Sequence, residues 1–417
     1  MPEAMTSTTG MAGTSMPAAR SAAAQRGEAR SGEAQGSPAL GPVVVFSGGG
    51  TGGHLYPALA LAAALEDLRP DVRAFFVGAR RGIEARKLPE LGREHLLVDV
   101  EGLPRTASPW KVLRALFRAA GALARVQRLF ARLRPALVVV TGGYAGLPAG
   151  LAARLQKVPL VLQEQNAAAG LVTRLLARWG QPREIHLAYP EAGAGIAAAA
   201  REHITIGGNP IRHPRAIDRS ETLRNFGLQP DLPVLLVVGG SQGSAALNAA
   251  VLEWLETEGA AGPRGLQVLW STGPSHLEQV QQGLAEAGSP AHVHVRGFLD
   301  DMDSALGIAD LALSRAGAMA TSEFLAWGVA AVLVPLPTAA ADHQTFNARA
   351  LAEAGAAVHL PQKQLTGAAL GAALHELLDE PSRLDVMRQR ARERGQPDAA
   401  RDIARQLARL LPRQEAA

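Results

Sequence analysis

The chain has 417 residues, 47% of them hydrophobic, enough to fill two buried cores. Lysine and arginine exceed aspartate and glutamate by only 42 to 38, which by itself implies no nucleic-acid partner. No cysteine is present, so disulfides and cysteine metal sites are excluded and a reducing compartment is permitted.

Residues 1–40 are mostly Ala, Ser, Gly, Thr and Glu, with almost no large apolar side chains. Such a composition cannot bury enough surface to fold, and a disordered tail is expected. The tail lacks the apolar centre of a signal peptide, and nowhere do about 18 uncharged apolar residues follow one another. The expected protein is soluble, neither secreted nor membrane-spanning.

From Val43 onward strands and helices alternate. VVVF, VRAFFVG, HLLVDV, ALVVV, PLVLQE and EIHLAY read as strands. Between them, helices are predicted through Leu68, over Glu84 to Leu91 and Pro109 to Leu133, after Pro148, and over Leu171 to Trp179. β-Branched runs of this kind suit buried parallel strands, and the alternation predicts a Rossmann-type α/β domain. The pattern loosens between Tyr189 and Asn209, the expected linker. A second series runs through PVLLVVGG, LQVLWSTG, VHVRGF, DLALSR and AAVLVPLP, and Leu365 to Leu411 reads as helical and charged. The expected organisation is a tail at 1–40, an N-terminal domain at 41–200, a C-terminal domain at 201–375 and a helical segment at 376–417.

Three strand ends carry glycine-rich turns that open helices: GGGTGGHLYP from Gly48, TGGYAGLP from Thr141 and VGGSQGSAALN from Val238. Glycine lets backbone approach phosphate closely, and free amides at a helix start favour negative charge. Three such turns across two halves point to a diphosphate ligand between two doubly wound units.

His54 closes the first turn and can serve as base, hydrogen-bond donor or spacer. Gln163 to Asn166 lie at a strand end, where open sheets present ligand contacts; alternatively Asn166 caps a helix starting at Ala167. Arg212, in GGNPIR, is a phosphate ligand only if it faces the cleft. In SRAGAMATSEFLAWG a small-residue turn precedes Thr321, Ser322 and Glu323, expected in the first helical turn, where the Glu323 carboxylate can accept both hydroxyls of a ribose. ADHQTFNA offers Asp342, His343, Gln344 and Asn347 as a sugar-hydroxyl site. No metal spacing is found: the histidines lack HExxH, and DDMD reads as a helix start capped by Asp300.

The Pro109 to Leu133 helix carries Lys111, Arg114, Arg118, Arg125, Arg128 and Arg132 in one quadrant beside Trp110, at about 100° per residue. Leu113, Leu116, Phe117, Ala120, Leu123, Val126, Phe130 and Leu133 are assigned to the other, apolar side. No acidic residue occurs between Gly102 and Gln163. Such a face is either simply solvated or a contact for anionic lipid.

Taken in order, GGGTGGHLYPALA, TGGYAGLPAGLAA, QEQNAAAG, GGNPIR, VVGGSQGSAALN, FLDDM, RAGAMATSE and ADHQTFNA closely resemble glycosyltransferase family 28, from about Pro42 to Pro412. The resemblance implies two Rossmann-like domains facing across a cleft, the GT-B arrangement, with the C-terminal helix returning to the N-terminal domain. It implies inverting transfer of GlcNAc from UDP-GlcNAc to the MurNAc 4-hydroxyl of undecaprenyl-diphospho-MurNAc-pentapeptide. The setting it implies is the cytoplasmic face of a bacterial cell membrane, with an anionic membrane surface as partner and no cofactor or metal. Donor contacts are implied for Thr51, Gly52, Gly53, Asn166, Arg212, Ser241, the Leu299 backbone, Ala318, Met319, Ala320, Thr321, Ser322, Glu323 and Gln344. His54 becomes the catalytic-base candidate. Gln163 stands where histidine is common and Ala320 where threonine is frequent. These departures leave Gln163 only to position Asn166, and one hydroxyl contact near the diphosphate either missing or supplied by Thr321. Two other readings stay open: a different UDP-sugar enzyme, such as a UDP-GlcNAc 2-epimerase or another glycolipid transferase, or a non-catalytic nucleotide-sugar-binding subunit. The basic helix favours a lipid acceptor over the epimerase, and His54, Glu323 and Gln344 argue against a non-catalytic subunit.

Overall fold

The computed structural model describes residues 41–100, 109–259 and 265–413, without the side chains of 109, 111, 112 and 116. The expected tail lies outside the described residues. The first seven strands are β1 (Val43–Gly49), β2 (Arg73–Ala79), β3 (His95–Val98), β4 (Leu137–Gly143), β5 (Leu160–Glu164), β6 (Glu184–Leu187) and β7 (Ile204–Ile206). They form one parallel sheet in the order β3-β2-β1-β4-β5-β6-β7. The helices among them are α1 (Gly52–Leu68), α2 (Glu84–Glu90), α3 (Pro109–Leu133), α4 (Gly146–Leu155) and α5 (Leu171–Trp179).

A second parallel sheet has the order β10-β9-β8-β11-β12-β13. Its strands are β8 (Val234–Val238), β9 (Gln267–Ser271), β10 (Val293–Arg296), β11 (Leu311–Ser314), β12 (Ala330–Leu333) and β13 (Ala357–His359). It is accompanied by α6 (Arg219–Phe226), α7 (Ala245–Glu258), α8 (Leu277–Glu286), α9 (Met302–Ile308), α10 (Ala318–Trp327) and α11 (His343–Glu353). Helices α12 (Gly367–Leu378), α13 (Pro381–Arg394) and α14 (Ala399–Arg409) follow.

β7 and β13 are not foreseen by pattern. Each is a three-residue edge strand, too short for periodicity and held by pairing with β6 and β12. β7 falls inside the expected linker, so the first sheet continues past the boundary placed at residue 200. The chain then returns: Ile403, Ala404 and Leu407 of α14 are fully buried in one cluster with Leu55, Leu61 and Leu65 of α1.

In both sheets the strand order reverses between the first and fourth strands, β1/β4 and β8/β11, the point where open α/β sheets bind ligands at their carboxyl ends. All three glycine turns foreseen in the sequence lie at these two points. The two carboxyl edges meet each other. Ala167 N, after β5, donates to Asn347 Oδ1, after β12, at 2.8 Å. Tyr189 OH and Thr321 Oγ1 share a hydrogen bond at 2.8 Å, and Ala167 and Tyr189 are buried in the C-terminal core.

The long helix corrects the sequence reading. Ala122, Val126, Leu129 and Phe130 are buried in the N-terminal core, but Leu113 and Phe117, assigned to the same side, are 42% and 70% exposed, beside Trp110 at 77%. At about 100° per residue they lie on the sector of Trp110 and Arg128, opposite Val126. The outward strip therefore mixes Trp110, Leu113 and Phe117 with Arg114 over its first turns and is basic further on. Arg118 is not a free cation, since it lies 3.8 Å from Asp99; the side chain of Lys111 lies outside the described residues.

Candidate functional site

At the second switch point the turns after β8 and β11 enclose a cavity of about 410 Å³ lined by Gly239, Gly240, Ser244, Arg315, Gly317 and Gln344, among others. That volume falls within the usual range for small-ligand pockets. Its walls include the N-termini of α7, capped by Ser244, and of α10, preceded by Gly317. Helix N-termini of this kind favour negative charge. Gly243 has φ +75°, and a Cβ there would lie 1.8 Å from the Thr272 carbonyl oxygen, so this turn requires glycine.

Arg315 underlies the cavity and went unnoticed in the sequence, where it is one letter in a small-residue turn. It is buried. Its Nε and Nη2 donate to Ser244 Oγ at 3.1 and 2.8 Å, and Nη1 donates to the carbonyls of Val334 and Pro335 at 3.2 Å each. All these partners are neutral, and burial pulls the guanidinium below its ordinary pKa. Gln362, also unforeseen, lines the same cavity with its Oε1 buried and unbonded.

Glu323 lies in the second turn of α10, not the first, because the helix already begins at Ala318. Burial, then repulsion from Asp303, pushes its carboxyl up to about 7 against the attraction of the exposed Arg212. The charges of Arg212 and Glu323 are thus close enough to interact. Ala320 and Gln344 line the cavity, Gln344 Oε1 accepting from Leu336 N at 3.0 Å. Ala318 and Ser322 are buried and Met319 is partly exposed.

Three expectations change. Thr321 is fully buried, with its hydroxyl on Tyr189 and on the carbonyls of Gly317 and Ala318, so it cannot replace a hydroxyl at position 320. Ser241 is exposed in the turn that leads to Ser244, which lines the cavity. Asp301, not Asp300, caps α9 by accepting from Ser304 N at 3.1 Å. Asn166 caps no helix at Ala167: α5 starts at Leu171, and Glu164 Oε2 accepts from Gly170 N at 2.9 Å. Asn166 instead donates to Glu164 Oε1 at 3.2 Å and accepts from Asn347 at 3.3 Å. Leu299 is buried in the C-terminal core. Among the described residues no group of three or more His, Asp or Glu gathers as metal ligands would.

At the first switch point Thr51 precedes α1 with extended backbone, and Gly52, Gly53 and His54 form its first turn. The His54 ring lies against Gly142, whose φ is +96° and where a Cβ would sit 2.9 Å from Nδ1; glycine is what admits the imidazole. His54 is partly exposed. Beneath the turn, the fully buried Glu84 accepts from Gly50 N at 2.6 Å. Burial pushes its carboxyl above the usual range. Nothing local in the sequence marks Glu84, because its partner is 34 residues away.

The model of the glycosyltransferase family 28 N-terminal domain matches residues 44–181, and that of the family 28 C-terminal domain matches residues 234–406. The chain is 42% identical over 360 residues to a UDP-N-acetylglucosamine–N-acetylmuramyl-(pentapeptide) pyrophosphoryl-undecaprenol N-acetylglucosamine transferase of Salinibacter ruber, covering 86% of this chain and 94% of the relative. It is 39% identical to the protein of the same name from Moorella thermoacetica, over 85% of this chain and 95% of that one. Among solved structures, MurG of Acinetobacter baumannii superposes with a TM-score of 0.69 at 30% identity, over 88% of this chain and 99% of that one. A Listeria monocytogenes protein described as a UDP-N-acetylglucosamine 2-epimerase superposes at 0.58 and 17% identity, over 87% of this chain and 95% of that one, a likeness of fold alone.

Proposed function

The chain belongs to glycosyltransferase family 28, and from that membership we propose how its two switch points divide the reaction. The protein is an N-acetylglucosaminyltransferase of GT-B fold that moves GlcNAc from UDP-GlcNAc to the lipid-linked MurNAc-pentapeptide. UDP-GlcNAc binds at the second switch point, its diphosphate between the starts of α7 and α10 and its ribose on Glu323. The observation that carries this reading is the glycine-walled cavity closed by two helix N-termini over the buried Arg315. The acceptor binds at the first switch point. Its 4-hydroxyl attacks the anomeric carbon in line, His54 takes the proton, and the C1–O bond breaks with its electron pair leaving on UDP. Incubation with UDP-GlcNAc and lipid-linked MurNAc-pentapeptide should yield UDP and the disaccharide in equal amounts. UDP-GlcNAc hydrolysis or epimerisation that proceeds equally without acceptor would refute this reading.

Glu323 gives the donor site a pH signature. Ribose hydroxyls donate to the ionised carboxylate, and the folded protein holds this carboxyl up to about 7. Donor affinity should therefore be full above that pH and fall as pH drops through it, by about tenfold one unit below. Glu323→Gln should bind more weakly at pH 8 and show no such dependence. Calorimetry with UDP-GlcNAc from pH 5.5 to 8.5 decides it; a wild-type affinity flat across that range removes Glu323 from the ribose.

The acceptor's lipid requires the enzyme to work at a membrane surface, and the outward strip of α3 suits that task. Trp110, Leu113 and Phe117 supply exposed apolar area, and Arg114, Arg125, Arg128 and Arg132 supply charge. Among the described residues no helix is long and apolar enough to cross a membrane. Each cation near an anionic leaflet contributes about 1 kcal/mol. Changing the four arginines to glutamine should thus weaken binding to anionic vesicles by about 1000-fold at moderate salt and spare turnover of a short-chain soluble acceptor. Equal binding of wild type and variant would assign docking elsewhere.

A further inference from the structure

A chain of buried amides crosses between the lobes, and its polarity can be read from one end to the other. Asn209 Nδ2 lies 3.0 Å from the Gln165 carbonyl and 3.3 Å from the Ala318 carbonyl. Backbone oxygens only accept, so this end of Asn209 must be the NH2, which also reaches Ser322 Oγ at 2.8 Å. Its Oδ1 therefore faces Gln163 and accepts from Nε2 at 3.1 Å. Gln163, expected to position Asn166, instead turns its own Oε1 to Gln165 Nε2, which also donates to the Gln163 carbonyl at 2.9 Å. That leaves Gln165 Oε1 pointing at His54 Nδ1, 2.9 Å away, while the Thr141 carbonyl lies 3.0 Å from the same nitrogen. Two acceptors on one ring nitrogen require it to carry the proton. In the neutral ring, Nε2 then bears the lone pair.

We propose that Gln165 is a positioning residue that, with the Thr141 carbonyl, holds His54 as the Nδ1–H tautomer, and that the Gln163–Asn209 relay fixes Gln165 from the donor-binding helix α10. This rests on the reading of His54 as base. The acceptor hydroxyl's proton goes to Nε2, and the imidazolium so formed keeps its Nδ1–H on two carbonyl-type oxygens that favour its charge, the division of labour of a catalytic triad with an amide in the carboxylate's place. Because Asn209 bonds to both the Gln165 carbonyl and Ser322, the orientation of the base is mechanically tied to the helix that carries Glu323.

The test uses full-length protein with 15N-labelled histidine and long-range proton–nitrogen NMR of His54, alongside steady-state kinetics. In the neutral ring, wild type should show Nδ1 protonated and Nε2 unprotonated. Gln165→Met keeps length and removes the acceptor; it should mix the two tautomers and lower kcat about tenfold or more while leaving the UDP-GlcNAc KM within about twofold. Asn209→Ala, at a residue that bonds to neither His54 nor the Gln165 side chain, should mix the tautomers to a lesser degree by freeing both glutamines to flip. A pure Nδ1–H tautomer retained in both folded variants overturns the proposal whatever turnover does. Mixed tautomers with full turnover would instead keep the Gln165 contact and sink the reading of His54 as base.

Discussion

His54→Ala should lower turnover by about 100-fold or more, about 2.7 kcal/mol in the barrier, while changing UDP-GlcNAc affinity little. General-base help is expressed in the transition state, and the cavity proposed for the donor lies on the other sheet, so binding and chemistry should separate. The substitution also strips the Thr141 carbonyl and Gln165 Oε1 of their shared donor. In a partly exposed site water can replace that donor, so the stability loss should stay near the usual net worth of a hydrogen bond, about 1 kcal/mol. His54→Gln keeps a donor for these oxygens but no titratable nitrogen. It should fold like wild type and be as inactive as the alanine variant. Turnover of His54→Gln within a few-fold of wild type would make His54 a strut and send the search for the base elsewhere.

What the sequence made legible follows from the range of each signal. The glycine turns and β-branched runs are local, so both sheets and both switch points could be placed from residues adjacent in the chain. The place of Glu323 on a helix after a small-residue turn was also legible, since turn and helix are contiguous, although the helix starts earlier than composition suggested. Arg315, Glu84 and the Gln163–Asn209 contact were not. Each acquires its role from a partner far along the chain, at Ser244, Gly50 and across the lobes, and no spacing rule reports such contacts. Thr321 was misread for the same reason: its hydroxyl is committed to Tyr189, 132 residues away. Leu113 and Phe117 failed differently. They were assigned to the apolar side by residue type, whereas their angular position sets them with Trp110, and apolar character alone does not mark burial.

Arg315→Met should lower kcat/KM for UDP-GlcNAc by about 100- to 1000-fold, the scale on which removing one preorganised electrostatic partner of developing charge acts. The reason lies in what surrounds the guanidinium. It is buried with only neutral oxygens as partners, and such a cation is costly unless an anion completes the site. In the proposed donor site a diphosphate in the adjacent cavity would supply that anion, most strongly as the sugar leaves and charge grows on the terminal phosphate. The same argument predicts that UDP raises the wild-type melting temperature well beyond uridine at equal concentration, because only UDP brings the phosphates. In Arg315→Met this difference should shrink while uridine affinity stays within about twofold, since removing a contact that uridine never makes should not alter its binding. Arg315→Lys keeps the charge but cannot span Ser244 and the Val334 and Pro335 carbonyls together, so it should fall between wild type and methionine. If the methionine variant folds and binds UDP as tightly as wild type, Arg315 is a brace for the turn after β11, and the two helix N-termini hold the diphosphate without it.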